Sequence, residues 1–227
     1  MGDGLERGLA RIAPKFRPIR IEGYGEAIPE DPGLGSLKYW CVRFHEEGLA
    51  PPYEEGSFGN LSVRLDVRGL PEPEKWGNTA FIITASKSSL RESTENDRFL
   101  VVRKVDFEKK IVYYAGSKVW VPSSESMLHY GLYQFREDAG AAFHGHSGII
   151  SSAIRDLGIP ETSEEEPYGT VGLVERSLDV LRQSPGLDFF EMKNHGFVSL
   201  GRTPEEAGET AMRYLERARG LGRRVRV

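Results

Sequence analysis

The stretch PSSESMLHYGLYQFREDAGAAFHGHS, from Pro122 to Ser147, decides the fold because a helical segment passes into a strand within it. Met127, Leu128, Leu132 and Phe135 recur at helical intervals, which predicts a helix over 123–135, and the small residues around Phe143 predict a strand over 139–147. Upstream, NLSVRLDV (60–67) alternates Leu61, Val63 and Leu65 with polar partners, as a half-buried strand does. TAFIITA (79–85), FLVVRKVDF (99–107) and KKIVYYA (109–115) read as further strands. The turns between them are short, which favours antiparallel neighbours because parallel pairing needs a crossover. Downstream, GTVGLVERSLDVLRQ (169–183) reads as a helix and GFVSL (196–200) as a strand. Thr203-Pro204-Glu205-Glu206 then opens a last helix with an N-cap threonine, proline at the first helical position and a capping-box glutamate. The sum is an α/β domain with a mostly antiparallel sheet covered by helices.

Further toward the N-terminus, Leu34, Leu37, Trp40, Cys41 and Phe44 recur at helical spacing, with Gly48 where a helix would stop. The single cysteine, Cys41, lies in this apolar context and reads as a buried thiol without a disulfide partner. Residues 1–33 are rich in Gly, Pro and charge and read as an extended arm that lies on the domain or on a neighbour; 34–227 reads as one domain. At 227 residues with 39% hydrophobic content, the chain suits one large core better than two. Thirty basic against 34 acidic residues leave a net charge of -4, so there is no footprint for nucleic acid or for an anionic membrane. A small-molecule partner is expected. Charges interrupt the N-terminal segment where a signal peptide would be apolar, and no segment approaches the length of a membrane span, so a cytoplasmic location is expected.

His144 and His146 stand two apart in a predicted strand, so a period of two points both imidazoles to one face, where they suit a single metal ion. Gly145 between them keeps the opposite face small. His195, in KNHGF, is the third candidate, presented at a sheet edge by a turn between two strands. Three protein ligands leave coordination positions open, as catalytic zinc requires. His45, near the end of the first helix, reads as a solvated or capping residue. His129, four residues after Glu125 on the same helical face, reads as support for that carboxylate. Pro122-Ser123-Ser124-Glu125 reads as a helix start whose hydroxyls cap and whose N–H groups suit an anion.

In order, GSFGNLSVR, IITAS, PSSESMLHYGLYQFRED, AAFHGHS and NHGFVSLG resemble the class II aldolase and adducin family over about Leu34 to Arg219. The resemblance implies a three-layer α/β/α domain with a central, mostly antiparallel sheet, and a homotetramer with active sites between subunits. It implies that His144, His146 and His195 hold a divalent metal, zinc first and manganese or cobalt as alternatives. It implies that Glu125 is the acid/base. Gly59, Asn60, Ser86, Ser123 and Ser124 match the anion-binding positions, so the substrate is expected to be anionic, a sugar phosphate. Two departures stand out. Lys87 occupies the turn position that usually carries glycine, where it either contacts the anion or narrows its pocket. No tyrosine matches the one that family aldolases lend across the interface, Tyr168 lying in another context.

The activity implied is aldol-type carbon–carbon cleavage of a small hydroxylated ketone or sugar phosphate through a metal-stabilised enediolate, with Glu125 moving the proton. The alternatives are a dehydratase of a methylthio-sugar phosphate, an epimerase, and a non-catalytic adducin-like interaction module. Family epimerases resemble one another in carrying aspartate where this chain has Glu125, and a complete three-histidine set argues against the module.

Overall fold

The computed structural model describes residues 15–22, 31–54, 56–92 and 95–224. Ten strands are described: β1 (Arg17–Arg20), β2 (Pro52–Tyr53), β3 (Gly56–Ser57), β4 (Asn60–Arg64), β5 (Phe81–Thr84), β6 (Phe99–Asp106), β7 (Ile111–Ala115), β8 (Ala141–Gly145), β9 (Phe189–Met192) and β10 (Gly196–Gly201). The α-helices are α1 (Pro32–Glu46), α2 (Pro73–Trp76), α3 (Ser126–Phe135), α4 (Gly148–Ser152), α5 (Ile154–Leu157), α6 (Val171–Gln183) and α7 (Pro204–Arg224).

Eight strands form one sheet in the order β1-β7-β6-β5-β4-β8-β10-β9, and every pairing but one is antiparallel. The exception is β1, which pairs parallel to β7, Arg17 opposite Ile111. Part of the expected arm is therefore the edge of the sheet. RPIR carries no alternating apolar pattern, so only its pairing with a distant strand reveals it.

Both faces of the sheet are covered, which is why its central strands are apolar on both sides. Phe143, Phe189 and Phe197 pack with Leu37, Cys41 and Phe44 of α1 and with Ala207, Ala211 and Leu215 of α7. Their strand neighbours Ala142, Phe190 and Val198 face the other way, against Met127, Leu128 and Leu132 of α3 and Leu173, Val174 and Leu181 of α6. The result is three layers. Helix α1 starts where Asp31 accepts a hydrogen bond from the Gly33 N–H at 2.7 Å. Cys41 is fully buried within it, and burial pushes its thiol up, out of reactive range. Helix α7 opens as expected, Thr203 Oγ1 accepting from the Glu206 N–H at 3.2 Å, although Glu206 reaches back one residue further than a capping box would, to the Arg202 N–H.

Candidate metal centre

The site forms where the ends of β4, β8 and β10 meet. Asn60 of β4 and His144 of β8 are direct cross-strand partners, with Val198 of β10 on the other side of His144. Two glycines make this closeness possible. Gly59 has φ +86, and a Cβ there would lie 2.6 Å from the His144 carbonyl oxygen. A Cβ on Gly145 would lie 2.4 Å from Phe197 Cζ and 2.7 Å from the Leu49 carbonyl oxygen, so the small opposite face read from the sequence is a packing requirement.

One ring nitrogen from each of His144, His146 and His195 lies within 4.8 Å of the others, a group that could hold a metal ion. His144 and His146 approach to 2.9 Å between their Nε2 atoms. Glu125 comes from the other layer, its Oε2 3.1 Å from His144 Nε2 and its Oε1 3.0 Å from His195 Nε2. Despite that distance, Oε1 is buried with no donor aimed at it in hydrogen-bond geometry.

The donor chemistry fits a cation. His144 Nδ1 lies 2.9 Å from the Phe197 carbonyl, which can only accept, so the proton of the neutral ring sits on Nδ1 and the Nε2 lone pair faces Glu125 and His146. Burial lowers the readiness of His144 to gain a second proton, more than Glu125 raises it. The His144 lone pair and the Glu125 carboxylate thus meet at one point, a donor set that suits a shared cation. Glu125 is itself only 3% exposed. Burial pushes its carboxyl up, yet the electrostatic pull of the His144 and His195 rings beside it, with the hydrogen bond from Asn60, holds it well below the usual carboxylate range.

Ser123 is buried, and its hydroxyl accepts from the Glu125 N–H at 3.3 Å, while its carbonyl accepts from the Ser126 N–H. The helix therefore begins at Ser126 rather than at Ser123: local bonding consumes the serine's capping capacity, and Glu125, at the N-cap, turns its side chain to the histidines instead of capping. Ser124 is half-buried, and Gly169 packs its backbone against the Ser124 carbonyl. Ser86 and Lys87 form the turn after β5, which Ser88 closes by donating to the Ala85 carbonyl at 2.9 Å. Lys87 is exposed and has φ +60, the left-handed backbone that explains why glycine is usual at this position. The Asn60 amide meets Glu125 and His129 rather than solvent, and it retains a second N–H for another acceptor.

Sequence reasoning passed over two features. Phe58, 41% exposed beside Asn60, brings its ring within 5.3 Å of the His146 ring. Glu191, buried in β9, accepts from the Ser151 hydroxyl at 2.6 Å. A lone glutamate in the apolar run FFEM was the available signal for the second.

The sequence matches the profile of the class II aldolase and adducin N-terminal domain over residues 39–220. The chain belongs to the class II aldolase and adducin family. Solved structures of similar fold include a sugar-phosphate aldolase from Thermotoga maritima, at 21% identity and TM-score 0.63, covering 84% of this chain and 94% of that one. An L-fuculose 1-phosphate aldolase is 20% identical with TM-score 0.62, covering 88% of this chain and 91% of that one. A protein from Escherichia coli described as an aldolase/epimerase/decarboxylase is 21% identical with TM-score 0.55, covering 82% and 86% respectively. At these identities the likeness establishes the fold, and reaction and substrate have to be argued from the site. No protein of curated function matches the sequence. No helix among the described residues is long and apolar enough to cross a membrane.

Proposed function

We propose that this class II aldolase family member is a divalent-metal-dependent lyase that cleaves a carbon–carbon bond in a small hydroxylated ketone or sugar phosphate. The observation that carries the reading is a buried, ionised carboxylate with both oxygens within 3.1 Å of imidazoles in a three-histidine group. His144, His146 and His195 would hold the ion, zinc first and manganese or cobalt as alternatives. When bound, it would supply Lewis-acid stabilisation to the electron pair left on the ketone fragment.

Glu125 takes the proton from the hydroxyl next to the breaking bond. That oxygen's electron pair becomes the new carbonyl, the pair of the broken bond stays on the ketone fragment, and Glu125 returns the proton to its carbon. Gly59, Asn60, Ser86, Lys87, Ser123 and Ser124 receive the anionic end of the substrate. A homotetramer is the proposed assembly, and sedimentation at working concentration tests it.

Metal analysis of the purified protein should find about one divalent ion per chain. Protein that stays metal-free when offered zinc, manganese or cobalt would sink the enzyme reading. Screening ketose and aldose phosphates, with Glu125→Gln as control, tests the reaction. Products with an intact carbon skeleton, dehydrated or epimerised, would replace cleavage while leaving the metal site standing.

A further inference from the structure

Beneath Glu125 runs an unbroken hydrogen-bonded line of side chains that neither metal holding nor proton transfer uses. Asn60 Nδ2 lies 2.9 Å from Glu125 Oε2, and Asn60 Oδ1 lies 2.6 Å from His129 Nε2. On the far side of the ring, His129 Nδ1 lies 2.6 Å from Ser62 Oγ, which lies 2.8 Å from the Tyr133 hydroxyl. All five residues are buried. The fold explains the line: Asn60 and Ser62 are two apart in β4 and share a face, so one imidazole from α3 bridges both. Phe81 stacks on that imidazole, with 6.3 Å between ring centroids.

Chemistry gives the line a direction. Asn60 turns its NH₂ to the Glu125 carboxylate, which accepts, and turns to His129 its oxygen. That oxygen only accepts, so His129 carries its proton on Nε2. Burial keeps the ring neutral, lowering its protonation to about 3, so Nδ1 is bare and needs a donor. The Ser62 hydroxyl supplies it, since the competing acceptor, the Ala142 carbonyl, is further away at 3.2 Å. Burial pushes the Tyr133 phenol up, so it stays protonated and donates to Ser62. The reverse direction would set an amide oxygen against a carboxylate oxygen at 2.9 Å, two acceptors with no proton between them.

We propose that His129 is a positioning residue acting through Asn60: the Tyr133–Ser62–His129 line holds the Asn60 amide with an N–H on Glu125 Oε2. Oε2 is thereby held by Asn60, and Oε1, 3.0 Å from His195 Nε2, is the oxygen that takes and returns the proton. The orientation of Asn60 stands on the hydrogen bonds alone, while the role of Oε1 rests on the lyase reading above.

Nitrogen-15 NMR of the full chain, with and without added zinc, tests the orientation without turnover. His129 should be the neutral Nε2–H tautomer from pH 5.5 to 8, and the Asn60 side-chain amide should exchange on the order of a hundred-fold slower than an exposed one. His129→Gln, whose amide N–H reaches the same oxygen, should keep that protection; His129→Leu should lose at least about ten-fold of it. An Nδ1–H tautomer, titration near 6.5, or equal Asn60 protection in the two variants would overturn the proposal. If His129→Leu fails to fold, the wild-type tautomer and exchange still decide the direction. Where turnover is found, His129→Leu should lower kcat about 10- to 100-fold with little change in KM, and His129→Gln should restore most of it. A rise in KM alone would remove the claim that His129 acts through Glu125. The expected NMR pattern in a protein that cleaves nothing would sink the lyase and leave the positioning intact.

Discussion

Two glutamates, Glu125 and Glu191, are buried at nearly the same depth, 3% and 2% exposed, yet their carboxyls are shifted in opposite directions. Glu125 enters from the α3 side among two imidazoles and an asparagine amide, and those partners keep it ionised against the cost of burial. Glu191 points from β9 to the other face, where its Oε1 has the Ser151 hydroxyl and its Oε2 has no hydrogen-bond partner. There burial dominates, and with the repulsion of Glu161 it outweighs the Ser151 bond and the pull of His195, so the carboxyl is pushed up to about 7. Burial by itself makes a carboxyl neutral; positive or donating neighbours make it a base. The same residue type is thus held as a base on one face of the sheet and pushed toward its neutral form on the other.

Exchanging each carboxyl for its neutral amide separates the two roles, and Glu125→Gln carries the largest effect. Removing the proton carrier should lower kcat by about 10² to 10⁴. Metal content should stay near that of the wild type, because the histidines remain. The corresponding Glu191→Gln change should leave kcat within a few-fold. Equal losses in the two variants would break the comparison, since Glu191 would then belong to the reaction.

Stability reverses the ranking. A carboxyl raised from 4.5 to about 7 in the folded protein binds a proton that the unfolded chain has already released, so stability falls as pH rises from 4.5 through 7. At about 1.4 kcal/mol per pH unit, the fall amounts to roughly 3 kcal/mol. Glu191→Gln imitates the neutral form, so its advantage over wild type should grow by about that amount between pH 4.5 and pH 8. Chemical denaturation at the two pH values measures it; parallel stabilities at both would show that the Glu191 carboxyl titrates in the folded protein as it does in the unfolded chain.

How far these features could be read beforehand follows from how local they are. The period of two at His144 and His146 and the apolar strands from Leu61 to Tyr114 are local signals, and the three-layer antiparallel architecture followed from them and from the family resemblance. Lys87 stood out because it occupies a position whose φ of +60 suits glycine. The partner of His129 was less legible: the helix put it one turn from Glu125, but its bond runs to Asn60, 69 residues away. The helix start was misplaced because Ser123 and Ser124 resemble caps, whereas the Ser123 hydroxyl is already engaged with the Glu125 N–H. The pairing of β1 with β7 depends on contact between segments more than ninety residues apart, Arg17 with Ile111, and no pattern within either segment announces it.

Ser151→Ala carries the smallest effect and sharpens the contrast most directly. It removes the one side-chain hydrogen bond on Glu191 among the described residues while the surrounding strands stay in place, since Glu191 keeps its backbone bonds to Pro160 and Thr162. With no donor left to favour the charged form, the Glu191 carboxyl should titrate above its wild-type midpoint, and the descending limb of stability should extend to higher pH. The loss near pH 5 should be about 1 kcal/mol, the worth of one hydrogen bond whose partner stays buried. Glu125 should change little, because Ser151 does not touch it and its partners are His144, His195 and Asn60. Infrared titration of the buried carboxyl in wild type and Ser151→Ala reads the change, and a midpoint that stays put or falls would mean that Ser151 does not govern the charge of Glu191.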